Sequence, residues 1–321
     1  MKKISFNIYD YSTISIYTNL NEVASEFAKN KYKLMKTIPI TDMKIDECEK
    51  DLINNNNNSM YILQGQDNTI SFDVDSNFIF VTIRGNKIRI LDYIYMLLEM
   101  FANDLANTNK YLLHSSALKY DNNKSILLVG DANSGKSTLA YNLMSNYDMQ
   151  LISNDHTLIG QENSVLTTFS GTKPLELRYG VIDKYFPTFR TLISGCTEEE
   201  LWSKKIVIND YIDANMIASN DKTIVSDIYQ VDLCENGSCF LKTKDYIDQR
   251  LFLYEHLSKQ LKGTYNLITG YDYPMPSIET PERLRVLNDQ IKDYLQNTEV
   301  HMCKGSIDEL SKVMVKKLEK K

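Results

Sequence analysis

The sequence has no long apolar run, no cationic surplus, no cysteine framework and no internal repeat, and each absence removes a class of protein. No segment approaches the ~20 apolar residues that a membrane-crossing helix needs. The opening Met1-Lys2-Lys3-Ile4-Ser5-Phe6 lacks the apolar core of a secretory signal. A cytoplasmic protein is the expectation. Forty-two acidic side chains against 36 basic ones give a net charge of -6. Nothing overall therefore attracts a phosphate backbone, and neither nucleic acid nor membrane is an expected partner. The five cysteines are odd in number and mostly scattered, unlike a disulfide scaffold or a zinc knuckle. Cys234 and Cys239 flank a turn-like Glu235-Asn236-Gly237-Ser238, which predicts two reduced thiols facing each other across a hairpin.

What is present is globular. Apolar residues make up 43% of the 321 and charged residues 24%, enough to bury a core and too much for long-range disorder. The length favours two domains. Residues 4–17 alternate like strand, and residues 21–34 have helical spacing. The Asn run at 54–58 reads as a surface loop. Residues 78–83 and 87–90 read as a hairpin joined through Arg84-Gly85-Asn86. Leu91, Ile94, Leu98, Phe101 and Leu105 then recur on one helical face. Asn107-Thr108-Asn109 breaks that pattern, so the expected division is an α+β module over 1–108, a candidate for substrate recruitment, and a nucleotide-binding domain over 109–321.

From Tyr111 the texture becomes α/β. Residues 112–119 form one strand, and residues 125–129 form a continuous apolar strand of the buried kind. A helix over 136–145 and a strand over 149–153 follow. Further on, Thr197 with Glu200 and Ser306 with Glu309 predict capping boxes, and Thr280-Pro281-Glu282 is a helix start with proline where its missing N–H costs nothing. Amphipathic helices are expected over 247–262 and 284–295. The stretch 271–278, with Pro274 and Pro276, reads as a rigid connector or as a loop that contacts the acceptor.

Between the apolar strand and the helix lies Gly130-Asp131-Ala132-Asn133-Ser134-Gly135-Lys136-Ser137, followed by Thr138. It fits Gly, four residues, Gly, Lys, Ser/Thr without exception, and it sits in the strand-loop-helix context the pattern requires. The glycines let successive amides turn inward on a phosphate, and the helix start adds its positive dipole end. Lys136 is expected to reach the β- and γ-phosphates and Ser137 to hold Mg²⁺. Asp155, at the end of the next strand, can reach the same ion. Glu176 and Arg178 fall on one side of a strand. They suit a metal carboxylate and a guanidinium that neutralises phosphoryl charge, or else a cross-strand ion pair on a solvated face. His114, on the strand before the loop, has a side chain that can accept a proton near neutrality. His156 should point to the opposite face from Asp155.

The order Leu113-His114-Ser115, Gly130 to Thr138, Leu151-Ile152-Ser153-Asn154-Asp155 and Leu175-Glu176-Leu177-Arg178-Tyr179-Gly180-Val181-Ile182-Asp183 resembles the catalytic domain of HPr kinase/phosphorylase and its serine- and peptide-kinase relatives, a fold akin to phosphoenolpyruvate carboxykinase. The resemblance spans about residues 110–190. It implies a P-loop kinase core that uses ATP and Mg²⁺ to phosphorylate a hydroxyl, commonly serine, of a peptide, protein or small metabolite. The matching positions are His114, Lys136, Ser137, Asp155, Glu176 and Arg178. The reading admits a homo-oligomer. One departure stands out: the resemblance implies paired aspartates, one of them the base, where this chain has Asn154-Asp155. Either Asp155 does both jobs, or His114 or His156 substitutes, or the acceptor brings its own acid. The departure also leaves open a nucleotide-binding regulatory protein without transfer activity. Neither an Asn-Lys-x-Asp guanine signature nor a Leu-Ser-Gly-Gly-Gln string occurs, which speaks against GTPases and ABC-type ATPases.

Overall fold

The computed structural model describes residues 1–8, 12–48, 57–85, 89–235, 238–262, 267–268 and 273–320. The chain is mixed α/β and divides into two compact units, Met1–Leu113 with Leu158–Leu166 and Arg250–Gln296, and His114–Thr157 with Thr167–Gln249 and Asn297–Lys321. Among the described residues no helix is long and apolar enough to cross a membrane.

The first unit is built on six strands, β1 (Lys2–Ile8), β2 (Ser12–Thr18), β3 (Asp42–Glu47), β4 (Ser59–Gln64), β5 (Thr69–Asp73) and β6 (Phe78–Ile83), in the order β3-β1-β2-β4-β6-β5. Alternation along β1 sends Ile4, Phe6 and Ile8 inward, as period-2 patterning requires. The helical stretch at 21–34 splits at Asn30 into α1 (Asn21–Lys29) and α2 (Lys31–Thr37). The expected hairpin partner of β6 is corrected: β6 pairs antiparallel with β5, and Ile90 already begins α3 (Ile90–Ala106). Residues 86–88 and 54–56 lie outside the described residues.

The later helix α8 (Pro281–Tyr294) belongs to this same unit, whereas the sequence placed it with the nucleotide-binding segment. Its attachment is polar. Arg283 donates to Asn103 Oδ1 at 2.9 Å and Asn107 Oδ1 at 2.6 Å, and the Tyr111 hydroxyl donates to Gln290 Oε1 at 2.9 Å. Such long-range bonds leave no periodic trace in sequence. The proline start is as expected, with the Thr280 hydroxyl accepting from the Arg283 amide.

The second unit takes its residues mainly from an eight-stranded mixed sheet. Its strands are β7 (Lys110–Asp121), β8 (Lys124–Val129), β9 (Gln150–Ser153), β10 (His156–Glu162), β11 (Val165–Gly171), β14 (Thr223–Leu233), β15 (Phe240–Thr243) and β18 (Glu299–Gly305). The order is β11-β10-β7-β8-β14-β18-β15, with β9 paired to β7. A separate ribbon joins β12 (Glu176–Arg178) to β13 (Lys205–Val207), while β16 (Leu267–Ile268) and its partner β17 (Tyr273–Pro274) belong to the first unit. The helices are α4 (Lys136–Tyr147), α5 (Tyr179–Tyr185), α6 (Glu198–Ser203) and α9 (Ile307–Leu318), and α7 (Tyr246–Ser258) starts in this unit and passes to the first at Arg250.

β8 runs parallel to β14 and antiparallel to β7, and Ile126, Leu127, Leu128 and Val129 are all fully buried. That explains its unbroken apolar run, because a strand with both faces covered needs no alternation. Leu139, Leu143 and Met144 of α4 join Leu310 and Met314 of α9 in one core, each contributing roughly 1.5–3 kcal/mol on burial. Asn142 fastens the two helices by donating to the Ser311 hydroxyl at 2.8 Å.

Two local expectations are revised. The segments before Cys234 and after Cys239 do not form a hairpin, because β18 lies between β14 and β15 and pairs with both. All five cysteines are free thiols, and residues 236 and 237 of the turn are outside the described set. At α9 the Ser306 hydroxyl donates to the Glu309 carboxylate at 2.8 Å and makes no cap bond to the backbone. At α6 the capping box forms in both directions between Thr197 and Glu200.

Candidate functional site

β8 ends in the buried Val129, and the chain then turns away at Gly130, whose φ is 155°. A side chain there would meet Ser134 Oγ at 2.7 Å and the Val231 carbonyl at 2.8 Å. At the other end of the loop Gly135 has φ 96° and caps α4, with Leu233 Cγ 2.5 Å from where a Cβ would stand. Both glycines are required, one by close approach and the other by a left-handed backbone that side chains resist. The Leu233 amide donates to the Ser134 carbonyl at 2.9 Å, tying the loop to β14. Gly135→Ala is therefore expected to cost about 1–3 kcal/mol and to displace the loop amides. A melting curve paired with a nucleotide titration checks this: wild-type values in both would contradict the loop geometry.

Within the loop, Lys136 is buried and its ammonium donates to the carbonyls of Gly130 at 2.7 Å and Asp131 at 2.9 Å. The cation is thus braced above the loop at the amino end of α4, where anions are favoured. Ser137 follows, and its hydroxyl donates to Asn154 Oδ1 at 2.9 Å.

Asn154 is the hub of the site. It is 1% exposed, its Oδ1 also accepts from the Ser116 hydroxyl at 2.8 Å, and its Nδ2 donates to the Pro174 carbonyl at 3.1 Å. Its amide donates to the Thr172 carbonyl at 2.6 Å, and its own carbonyl accepts from the Thr172 hydroxyl. One amide side chain thereby ties together β7, the start of α4 and the segment leading to β12. The sequence marked this position only as a departure from paired acids. The structure gives it a positive role, since three bonds of mixed polarity suit an amide and not a carboxylate.

Asp155 stands at φ 71°, a left-handed conformation in which Asp and Asn are over-represented and which otherwise costs energy. Its carbonyl accepts from the Ser115 amide at 3.1 Å. This kink separates β9 from β10 and breaks strand alternation. His156 follows, with its ring 5.7 Å from that of His114. β9 itself pairs with β7 rather than with the loop-bearing β8.

These side chains line one cleft of about 510 Å³ together with β12 and α6, within the size usual for small-molecule sites, about 300–1,000 Å³. It gathers His114, Ala132, Asn133, Gly135, Lys136, Ser137, Thr138, Asp155, Glu176 and Arg178. Gly130, Asp131 and Ser134 line an adjoining cavity of about 470 Å³ with Gln230, Phe240, Met302 and Lys304. Arg178 donates to Asn133 Oδ1 at 2.6 Å and to the Trp202 carbonyl. Glu176, whose side chain is 14% exposed, has Lys205 at 4.0 Å across the β12–β13 ribbon. Both readings of Glu176 and Arg178 thus meet here: the ribbon carries a loose cross-strand ion pair, and it faces the cleft. Sequence reasoning missed Trp202 and Lys205, which also line it. The single tryptophan in the composition was the available signal.

Ser137, Asp155 and Glu176 supply hard oxygen donors to one cleft, a set suited to Mg²⁺. A loop with two obligatory glycines and a buried lysine at a helix start suits a polyphosphate.

A scan against protein-family models finds no match, and a comparison with curated proteins finds none either. Among solved structures the chain is similar to the Hpr(Ser) kinase/phosphatase from Coxiella burnetii, at 14% identity over 63% of this chain and 90% of that one, with a TM-score of 0.28. The likeness is distant and too slight to carry an assignment. The cleft stands on its own geometry.

Proposed function

We propose that the chain is an ATP- and Mg²⁺-dependent phosphotransferase that phosphorylates a hydroxyl, serine above all, of a peptide, protein or small metabolite. The observation that supports it is the convergence of His114, Lys136, Ser137, Asp155, Glu176 and Arg178, drawn from separate segments, on one cleft. Phosphoryl transfer asks mainly for positioning and charge stabilisation. The amides between Ala132 and Thr138 bind the phosphates. Lys136 exchanges its two carbonyl partners for phosphate oxygens, and Arg178, already bonded to Asn133 of the loop, neutralises charge on the transferred group. Ser137, Asp155 and Glu176 would hold Mg²⁺, which offsets phosphate charge when bound. Asp155 or His114 takes the hydroxyl proton, because the Asn154 amide is neutral and its oxygen is occupied by two hydroxyl donors. The open edges β3 and β5 of the six-stranded sheet are the surfaces on which the first unit would recruit a peptide by strand addition.

A second reading, a nucleotide-binding regulatory protein without transfer activity, is favoured by Asn154 alone. Turnover separates the two. With labelled ATP, Mg²⁺ and a panel of serine peptides and other hydroxyl compounds, the kinase forms ADP faster when its acceptor is present and transfers the label. Tight ATP binding with no label transfer and no acceptor-stimulated ADP would overturn the kinase in favour of the second reading.

A further inference from the structure

Trp202, the one tryptophan of the chain, is 66% exposed. It is held rather than loose. The Thr197 capping box fixes the start of α6, Arg178 donates to the Trp202 carbonyl, and the indole lies against Gly180. A Cβ at Gly180 would stand 3.4 Å and 3.5 Å from two carbons of the indole ring. Part of the six-membered ring thus lies against backbone, and most of the residue's surface stays exposed.

Trp202 lines two cavities. One is the 510 Å³ cleft of the phosphate loop; the other is a pocket of about 190 Å³ whose apolar walls include Val181, Leu233 and Ile307. Asn133, Gly135, Thr138, Val181 and Trp202 line both. The smaller pocket is below the usual size for a whole ligand, about 300–1,000 Å³, and suits one flat ring system. Its rim is polar: Tyr185 donates to Glu235 Oε1 at 3.0 Å, and Lys184 pairs with the same carboxylate, which it holds below the ordinary glutamate range.

We propose that this pocket is the base site of the nucleotide and that Trp202 is the platform on which a purine stacks. The inference rests on the nucleotide reading above. Phosphates held by the amides of residues 135–138 leave the rest of a nucleotide to run past Thr138, which lies at the junction of the two cavities. The cavity beside Gly130 and Asp131 shares none of residues 135–138, although it too has a half-exposed aromatic ring, Phe240. An exposed indole offers any base a π surface, and the bicyclic purines overlap it most. The Lys184–Glu235 pair offers both a donor and an acceptor to the base edge.

The single tryptophan makes the test direct. Wild-type protein with Mg²⁺ is titrated with ATP, GTP, CTP and tripolyphosphate, following indole emission and, in parallel, heat. The expected result is quenching by the purine nucleotides, weaker quenching by CTP, and purine affinity about 10- to 100-fold above that of tripolyphosphate. Trp202→Ala should bring ATP down to the affinity of tripolyphosphate without changing the latter, and Trp202→Phe should restore most of the difference. Unchanged ATP affinity in Trp202→Ala, CTP binding as tight as ATP, or loss of ATP affinity in Phe240→Ala instead, each overturns the base site. If Lys136→Ala still removes tripolyphosphate in those cases, the phosphate cradle stands without it. Failure of every ligand, tripolyphosphate included, to bind the wild type removes both.

Discussion

Replacing Lys136 by alanine is expected to abolish nucleotide binding and turnover and to leave the fold in place. The side chain is buried, yet its ammonium is directed at two carbonyls of the loop it belongs to and makes no contribution to the apolar core formed by Leu139 and Leu143. Losing both bonds costs about 1–3 kcal/mol, against a total stability of about 5–15 kcal/mol for a typical domain. The functional loss is far larger. A cation placed at a developing phosphate charge in a partly dry cleft is worth about 10²–10³ in rate when removed, and the carbonyls of Gly130 and Asp131, released from the lysine, then face the phosphates they would repel. Far-ultraviolet circular dichroism and a melting curve report the fold; ATP titration and ADP formation report the site. A Lys136→Ala protein that keeps wild-type ATP affinity and turnover would mean that the loop does not hold the phosphates.

Why so much of this cleft could be read from sequence follows from how local its determinants are. The phosphate loop depends on residue types at fixed spacing, and each requirement acts within a few bonds: glycine at Gly135 because φ is positive, lysine and serine because they open the helix. The strand before it announces itself because both its faces are covered. What sequence did not yield depends on pairing between distant segments. β18 separates β14 from β15 although some sixty residues intervene in the chain, so the Cys234–Cys239 turn signal predicted a hairpin that the sheet does not contain. β5 displaced the expected partner of β6, and α8 joined the first unit through Arg283 and Gln290. In the site itself the one geometric surprise is Asp155. Its left-handed backbone ends β9, and the apolar pattern of that strand gives no sign of it.

Asn154 shows the limit of reading a residue as a missing partner. Compared with paired acids it looked like a lost base. In place, the amide uses both its polarities: two hydroxyls donate to its oxygen, and its nitrogen donates to the Pro174 carbonyl, all at a position 1% exposed. Asn154→Asp keeps the two acceptor bonds but sets a carboxylate oxygen against the carbonyl of Pro174 and places a charge where, among the described residues, no cation is bonded to this side chain. Without ligand the variant is expected to lose about 3–5 kcal/mol, the range for an uncompensated buried charge, which shows as a lower denaturation midpoint. Adding Mg²⁺ and ATP brings positive charge to Ser137, whose hydroxyl already touches this side chain, so the gap to wild type narrows with ligand. Under those conditions transfer is preserved or raised if the chain is a kinase. A variant as stable as wild type without ligand would refute the hub argument. Silence of both proteins toward every hydroxyl acceptor, in the presence of Mg²⁺ and ATP, would leave a nucleotide-gated binding protein whose amide has been kept for structure.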